Sequence, residues 1–108
     1  MIALLSKQLP ITAIATYNDY MAAGSLSVLE DNHIQVPETL SLIGFDDGLI
    51  AKYLHPKLTT IRYPIHIMAE QAAMLSLKLA QKDAGEATVR MFVPTLVKRH
   101  SVGRATGE

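Results

Sequence analysis

The sequence has no cysteine. That excludes a disulfide framework and thiolate metal centres, and it fits a reducing compartment such as the cytoplasm. Charge of one sign is also missing: 10 Lys and Arg balance 10 Asp and Glu, for a formal net charge of zero. A free-standing nucleic-acid binder carries a basic footprint that this chain lacks. No apolar run approaches the ~20 residues of a membrane span, so no membrane partner is expected. The opening Met1-Ile2-Ala3-Leu4-Leu5-Ser6-Lys7-Gln8 has too short an apolar stretch, and no basic segment before it, for a signal peptide. It reads as the end of an amphipathic helix cut from something longer. Repeats and low-complexity tracts are absent.

Catalytic signatures are missing as well. There is no Gly-x-Ser-x-Gly elbow and no glycine-rich phosphate loop followed by Lys-Ser or Lys-Thr. His33, His55, His66 and His100 are not at ligand spacing with one another, and a zinc site needs three or four converging ligands. An enzyme is the least supported class, and neither a cofactor nor a metal is expected. The basic residues Lys98, Arg99, His100 and Arg104 read as a charged terminal strand and tail.

What is present is a core-forming composition, 49% hydrophobic over 108 residues, arranged in alternating signals. Ile11 to Tyr17 is short, apolar and β-branched, which predicts a strand. Asn18-Asp19 can cap a helix running to about Asn32, with Ala22, Leu26 and Leu29 as its buried stripe and Met21 and Ala23 widening the apolar face. After Val36-Pro37-Glu38, the nearly unbroken apolar run Ser41 to Asp46 predicts a strand buried on both faces, hence a parallel sheet. Asp47-Gly48 turns the chain, Leu49 to Leu54 predicts a short helix, and Leu58 to Tyr63 a third strand. Pro64 suits a helix first turn. Ile65, Met68, Ala69, Ala72, Leu75 and Leu79 mark one face of that helix, to about Lys82. Asp83 to Glu86 is a loop. Val89 to Val93 predicts a strand that Pro94 interrupts and Leu96 to Val102 continues, and the tail from Gly103 to Glu108 is expected to fray. Strand–helix alternation means α/β, a partial doubly wound parallel sheet. Small domains bury the smallest fraction of their surface, so apolar faces here call for cover from upstream chain or a partner.

Two polar residues stand where such sheets bind ligands, outside the carboxyl ends of their strands. Asn18 follows the first strand and Asp46 the second. An Asn offers donor and acceptor, and an ionised Asp offers two acceptor oxygens for vicinal hydroxyls, a kit suited to a polyol. Tyr17 and Phe45 precede them and can supply stacking surface for the C–H face of a sugar. The alternative is that both residues serve only as caps and turn residues.

Five segments in order, Tyr17-Asn18-Asp19-Tyr20-Met21-Ala22-Ala23-Gly24, Val36-Pro37-Glu38, Ile43-Gly44-Phe45-Asp46-Asp47, Leu58-Thr59-Thr60-Ile61-Arg62-Tyr63-Pro64 and Leu96-Val97-Lys98-Arg99-His100-Ser101, resemble successive landmarks of the lactose/galactose repressor family. Each is weak alone; together they cover nearly the whole chain. The likeness is greatest to the galactose repressor and isorepressor branch.

The resemblance implies a two-lobed core of the type I periplasmic-binding-protein kind, with effector bound between the lobes, and an N-terminal helix-turn-helix head that this chain lacks, so DNA would be reached only through that head. It implies that residues 1–63 form the second half of the C-terminal lobe, 64–88 cross toward the other lobe, and 89–108 return. It implies effector contacts at Asn18 and Asp46, and a homodimer surface at Ala23, Ser27, Leu49, Ile50, Tyr53 and Leu54. The function it implies is that of an effector-binding and dimerisation fragment of a sugar-responsive bacterial transcription repressor. The alternatives are a piece of a periplasmic sugar-binding transport protein, or a stand-alone truncated module that pairs with intact repressors. Where the family usually has glycine before Ile-x-Val-Pro, this chain has His33. Either His33 takes a positive φ, or the helix ends on Asn32.

Overall fold

The computed structural model describes residues 1–81, 89–105 and 107. A short helix α1 (Ile2–Leu5) precedes β1 (Ala13–Ala15), α2 (Asp19–Asp31), β2 (Ser41–Ile43), a 3-10 helix (Leu49–Lys52), β3 (Thr60–Arg62), α3 (Ile65–Ala80) and β4 (Thr95–Val97). Strands β1 and β2 pair in parallel, Ala13 opposite Ser41 and Ala15 opposite Ile43. An isolated parallel bridge from Ile43 to Thr59 extends the order toward β3, which pairs with β4. The α/β class and the parallel sheet expected from the sequence are both present.

The ends of α2 follow from local chemistry. Asn18, in extended backbone, accepts the Met21 N–H on its Oδ1 at 2.8 Å, satisfying one of the open donors of the first turn. At the other end Asn32 is the last near-helical residue and His33 takes φ +57°. Its N–H reaches the Glu30 carbonyl at 2.9 Å, and the Ile34 N–H reaches the Leu29 carbonyl at 2.9 Å. This pair of bonds is a Schellman motif, with histidine at the left-handed position glycine usually fills. The first of the two expected outcomes for His33 therefore holds.

The chain divides into two compact units, residues 1–62 with 96–108, and residues 63–95. In the first unit α2 packs on β2 and on the 3-10 helix. Ala22 and Leu26 of α2, Leu42 of β2, Ala51 and Leu58 form its core, with Ile14, Val36 and Leu54 packed against it. Leu29 is also fully buried, so the stripe read from the sequence is the buried one, but Met21 is 55% exposed and does not widen it.

The strands are shorter than composition suggested, because a ladder exists only where a neighbour's backbone lies in register. Val89, Met91 and Val93 are β-prone yet form no strand among the described residues; each is about nine-tenths exposed. Pairing begins only at Thr95, after Pro94, where β3 supplies a partner. In the second unit α3 starts directly after Pro64, as expected, but none of its side chains is buried. The expected end of that helix at Lys82 and the loop Asp83 to Glu86 lie outside the described residues.

The chain just before the tail is firmly held, and the hold reaches Gly103, the tail's first residue. Ser101 is 1% exposed: its hydroxyl donates to the Leu42 carbonyl at 2.6 Å and accepts the Thr59 N–H at 2.8 Å. Its carbonyl accepts the Leu42 N–H at 2.8 Å, and the Gly103 N–H donates to Ser41 Oγ at 3.0 Å. One buried serine thus stitches β2 to the residue before β3, sequence separations of 59 and 42 that no local pattern carries.

Replacing His33 with Gly relieves left-handed strain that costs a residue with a Cβ about 1–2 kcal/mol, partly offset by glycine's greater freedom in the unfolded chain. Urea unfolding of His33→Gly is expected to show a gain of about 1 kcal/mol; a loss of stability would contradict the strain assignment.

Candidate functional site

The site lies at the carboxyl ends of β1 and β2. Thr16 begins it. Its N–H donates to the Ile43 carbonyl at 2.9 Å, and its hydroxyl reaches the Asn18 and Ile43 carbonyls at 2.9 and 3.0 Å. Past the end of the ladder the Asp19 N–H donates to the Phe45 carbonyl at 3.0 Å. That bond makes Asn18 and Asp46, one residue away on either side of it, backbone neighbours.

Asp19 is the pivot. It is 1% exposed, and its Oδ2 accepts the Gly48 N–H at 2.7 Å while its Oδ1 accepts the Thr60 hydroxyl at 2.6 Å. A buried carboxylate is tolerated when such donors replace water. The arrangement also explains Gly44. A Cβ there would collide with Asp19 Oδ1 and sit 2.8 Å from Leu58 Cδ2, so only glycine lets the carboxylate cross beneath the chain.

Beyond Gly44 the backbone turns through two consecutive left-handed aspartates, Asp46 at φ +108° and Asp47 at φ +52°. The Asp46 N–H donates to the Ile61 carbonyl at 2.9 Å, and Asp46 itself is exposed. Asp47 points inward: its side chain is 5% exposed and carries two ion pairs. Arg62 meets Oδ2 through Nε and Nη2, both at 2.7 Å, and Arg99 Nη2 meets Oδ1 at 2.6 Å. Burial raises the Asp47 pKa. The hydrogen bonds and charges of Arg99 and Arg62 outweigh that and hold its carboxyl below the usual carboxylate range.

Of the residues singled out in the sequence, Asn18 and Asp46 stand on adjoining segments as the spacing suggested. Asn18 is also the helix cap, and its Oδ1 already holds the Met21 N–H. Tyr17 is 82% exposed and Phe45 39%. On α2, Ala23 is half-buried and Ser27 exposed. Leu49 and Tyr53 are 68% and 72% exposed, Ile50 is half-buried, and Leu54 packs on the core.

Sequence reasoning missed Asp19, Gly44, Asp47, Thr60, Arg62 and Arg99. It also placed Arg99 in a charged terminal strand and tail, whereas its side chain is 13% exposed and gripped by Asp47 and by the Leu58 carbonyl, 2.9 Å from Nη1. The described residues contain no His, Cys, Asp and Glu group able to hold a metal. An open cavity of about 340 Å³ lies at the far end of α2, against Leu26, Glu30, His33, Ile34, Val36 and His55, and includes none of the residues at the strand ends.

Removing the Asp19 carboxylate strands the buried Thr60 hydroxyl and leaves the part-buried Gly48 N–H without its partner, and an unsatisfied buried group costs about 1–3 kcal/mol. Asp19→Ala is expected to lower unfolding free energy by about 3 kcal/mol; a change under about 1 kcal/mol in chemical denaturation would contradict the pivot. Asp47 has a depressed folded pKa, so its contribution is complete above the unfolded value near 3.9 and disappears as pH falls through the folded value. The melting-temperature gap between the chain and Asp47→Asn should hold steady from pH 7 to pH 5 and shrink below about pH 4; a gap independent of pH would contradict the charge network.

Residues 2–102 match the family model for the periplasmic binding protein-like domain. The HTH-type transcriptional regulator GalR of Salmonella typhimurium (strain SL1344) is 54% identical over 106 residues, covering 98% of this chain and 31% of that protein. The crystal structure of a LacI-type transcription regulator from Bifidobacterium animalis subsp. lactis DSM 10140 superposes with a TM-score of 0.86 at 32% identity, over 94% of this chain and 36% of that one. A periplasmic binding protein/LacI transcriptional regulator from Alkaliphilus metalliredigens QYMF, complexed with D-xylulofuranose, superposes with a TM-score of 0.78 at 27% identity, over 85% of this chain and 35% of that one. The chain spans about a third of the length of the curated relative it matches at 54% identity. With its parallel sheet and this match over nearly its whole length, the chain belongs to the periplasmic binding protein-like domain family, and it is similar to regulators of the lactose/galactose repressor type.

Proposed function

We propose that this chain is the effector-binding and dimerisation segment of a sugar-responsive bacterial transcription repressor, a binding module rather than an enzyme, working in the cytoplasm. The observation that carries the reading is the Asp19-to-Phe45 backbone bond at 3.0 Å, which sets Asn18 and Asp46 side by side at the carboxyl ends of adjacent parallel strands. The Asn18 amide donates to, and the Asp46 carboxylate accepts from, the hydroxyls of one sugar, a galactoside-like effector. Tyr17 and Phe45 offer exposed aromatic surface beside them. Relatives named as transcriptional regulators, one of them solved with D-xylulofuranose, support a sugar effector over a transport role.

The homodimer surface is assigned to Ala23 and Ser27 of α2 and to Leu49, Ile50, Tyr53 and Leu54. Large apolar side chains exposed as a group, as Leu49 and Tyr53 are, mark surfaces that associate. The proposed effector residues all lie in the first compact unit, so this chain supplies one wall of the pocket. DNA is contacted through a head domain carried elsewhere in the regulator.

The test is a chimera in which this chain replaces the matched segment of the Salmonella GalR. It is expected to bind D-galactose, and Asn18→Ala or Asp46→Asn to weaken binding at least tenfold, about 1.4 kcal/mol or more, with the dimer intact in sedimentation. Unchanged affinity in both variants would remove the sugar-site assignment. The 108-residue chain alone should bind more weakly than micromolar in calorimetry, since one wall buries too little of the ligand.

A further inference from the structure

The turn that carries Asp46 is held from an unexpected direction. Two successive non-glycine residues in left-handed backbone persist only where their surroundings over-determine them. Here the surroundings are specific: the Asp47 N–H lies 3.4 Å from Thr60 Oγ1, the Gly48 N–H is fixed by Asp19, and the Asp47 carboxylate is gripped on one oxygen by Arg62 and on the other by Arg99. The two arginines occupy matched places in the chain. Arg62 is the last residue of the first compact unit before the chain enters the second at Tyr63; Arg99 follows shortly after the chain returns at Leu96.

We infer that Asp47 is a positioning residue: clamped between Arg62 and Arg99, it fixes the left-handed turn on which Asp46 stands and ties that turn to both segments through which the chain leaves and re-enters the first unit. Its consequence for a sugar rests on the function proposed above; the clamp itself does not. A polyol that pulls on Asp46 then acts on a turn wired to both crossings, and loosening either crossing releases Asp46. The charged and titratable groups around the carboxylate are Arg62 from β3, Arg99 beyond β4, its neighbour Asp46, and Asp19 behind Thr60 and Gly48. Protonating Asp47 weakens both ion pairs at once, so acid should mimic its removal.

The test is solution NMR on the 108-residue chain, comparing it with Asp47→Asn, Arg62→Met and Asp46→Asn. In Asp47→Asn the Asp46 amide is expected to exchange at least tenfold faster and to lose its positive-φ coupling signature, while the Leu42 amide in the core keeps its protection. Arg62→Met, whose arginine side chain is 57% exposed and so dispensable for folding, should give the same change in smaller measure. Asp46→Asn should leave the turn as it is. In the unmodified chain, Asp46 exchange corrected for its intrinsic pH dependence should rise as pH falls below about 4. Protection and coupling at Asp46 that survive both Asp47→Asn and Arg62→Met would overturn the inference, as would a loss of protection spread evenly to Leu42, which marks a merely structural role. With millimolar D-galactose as probe, amide shifts lost in Asp46→Asn but kept in Asp47→Asn overturn the positioning role and leave the effector reading standing. Shifts unchanged in Asp46→Asn contradict the effector reading instead.

Discussion

A single buried carboxylate organises the strand ends. Asp19 opens α2, yet its oxygens serve the loop after β2 through Gly48 and the strand β3 through Thr60, while its own N–H holds Phe45. Three elements that meet nowhere in sequence are thereby fixed to one side chain. The cost of burying this polar group is offset by two short hydrogen bonds, and the chain accommodates it by having no Cβ at Gly44. The residues at the strand ends are placed by this arrangement: Asn18 directly before the carboxylate, Phe45 on its amide, Asp46 next along, and Asp47 beside Thr60.

From that anchor a second layer of charge runs outward. Asp47 and its two arginines face the points where the chain passes between its two compact units. A partly buried network of this kind gains more from geometry than from raw Coulomb energy, because Arg62 brings a two-pronged contact and Arg99 is already held by the Leu58 carbonyl. In the proposed repressor, sugar binding must bias the arrangement of two lobes, and an effector does so only by interacting differently with the alternative states. On the proposed effector role of Asp46, its place next to a residue wired to both crossings is a physical route for that difference.

How much of this was legible in the sequence depends on range. Helix α2 was, because its signals are local: Asn18 as cap and Ala22, Leu26 and Leu29 as the buried stripe; the left-handed end at His33 came from the family resemblance, in which glycine usually stands there. The positions of Asn18 and Asp46 at strand ends followed from the alternation of strand and helix. Asp19 looked like a second cap candidate, since its partners lie 29 and 41 residues away. The Asp47–Arg99 pair spans 52 residues, and the serine stitch at Leu42 spans 59. Val89 to Val93 shows the converse: composition favours a strand, but a strand is a property of two backbones. The available hint was Gly44 within an otherwise bulky run, a small residue that signals close approach of another group.

The central claim is that the ends of β1 and β2 make one sugar-binding edge. A crystal structure of the GalR chimera with D-galactose bound tests it most directly. The account requires the Asn18 amide and the Asp46 carboxylate within hydrogen-bond reach of hydroxyls on one sugar. A sugar seated elsewhere, for instance in the groove at His33 and His55, with Asn18 and Asp46 untouched, would contradict it.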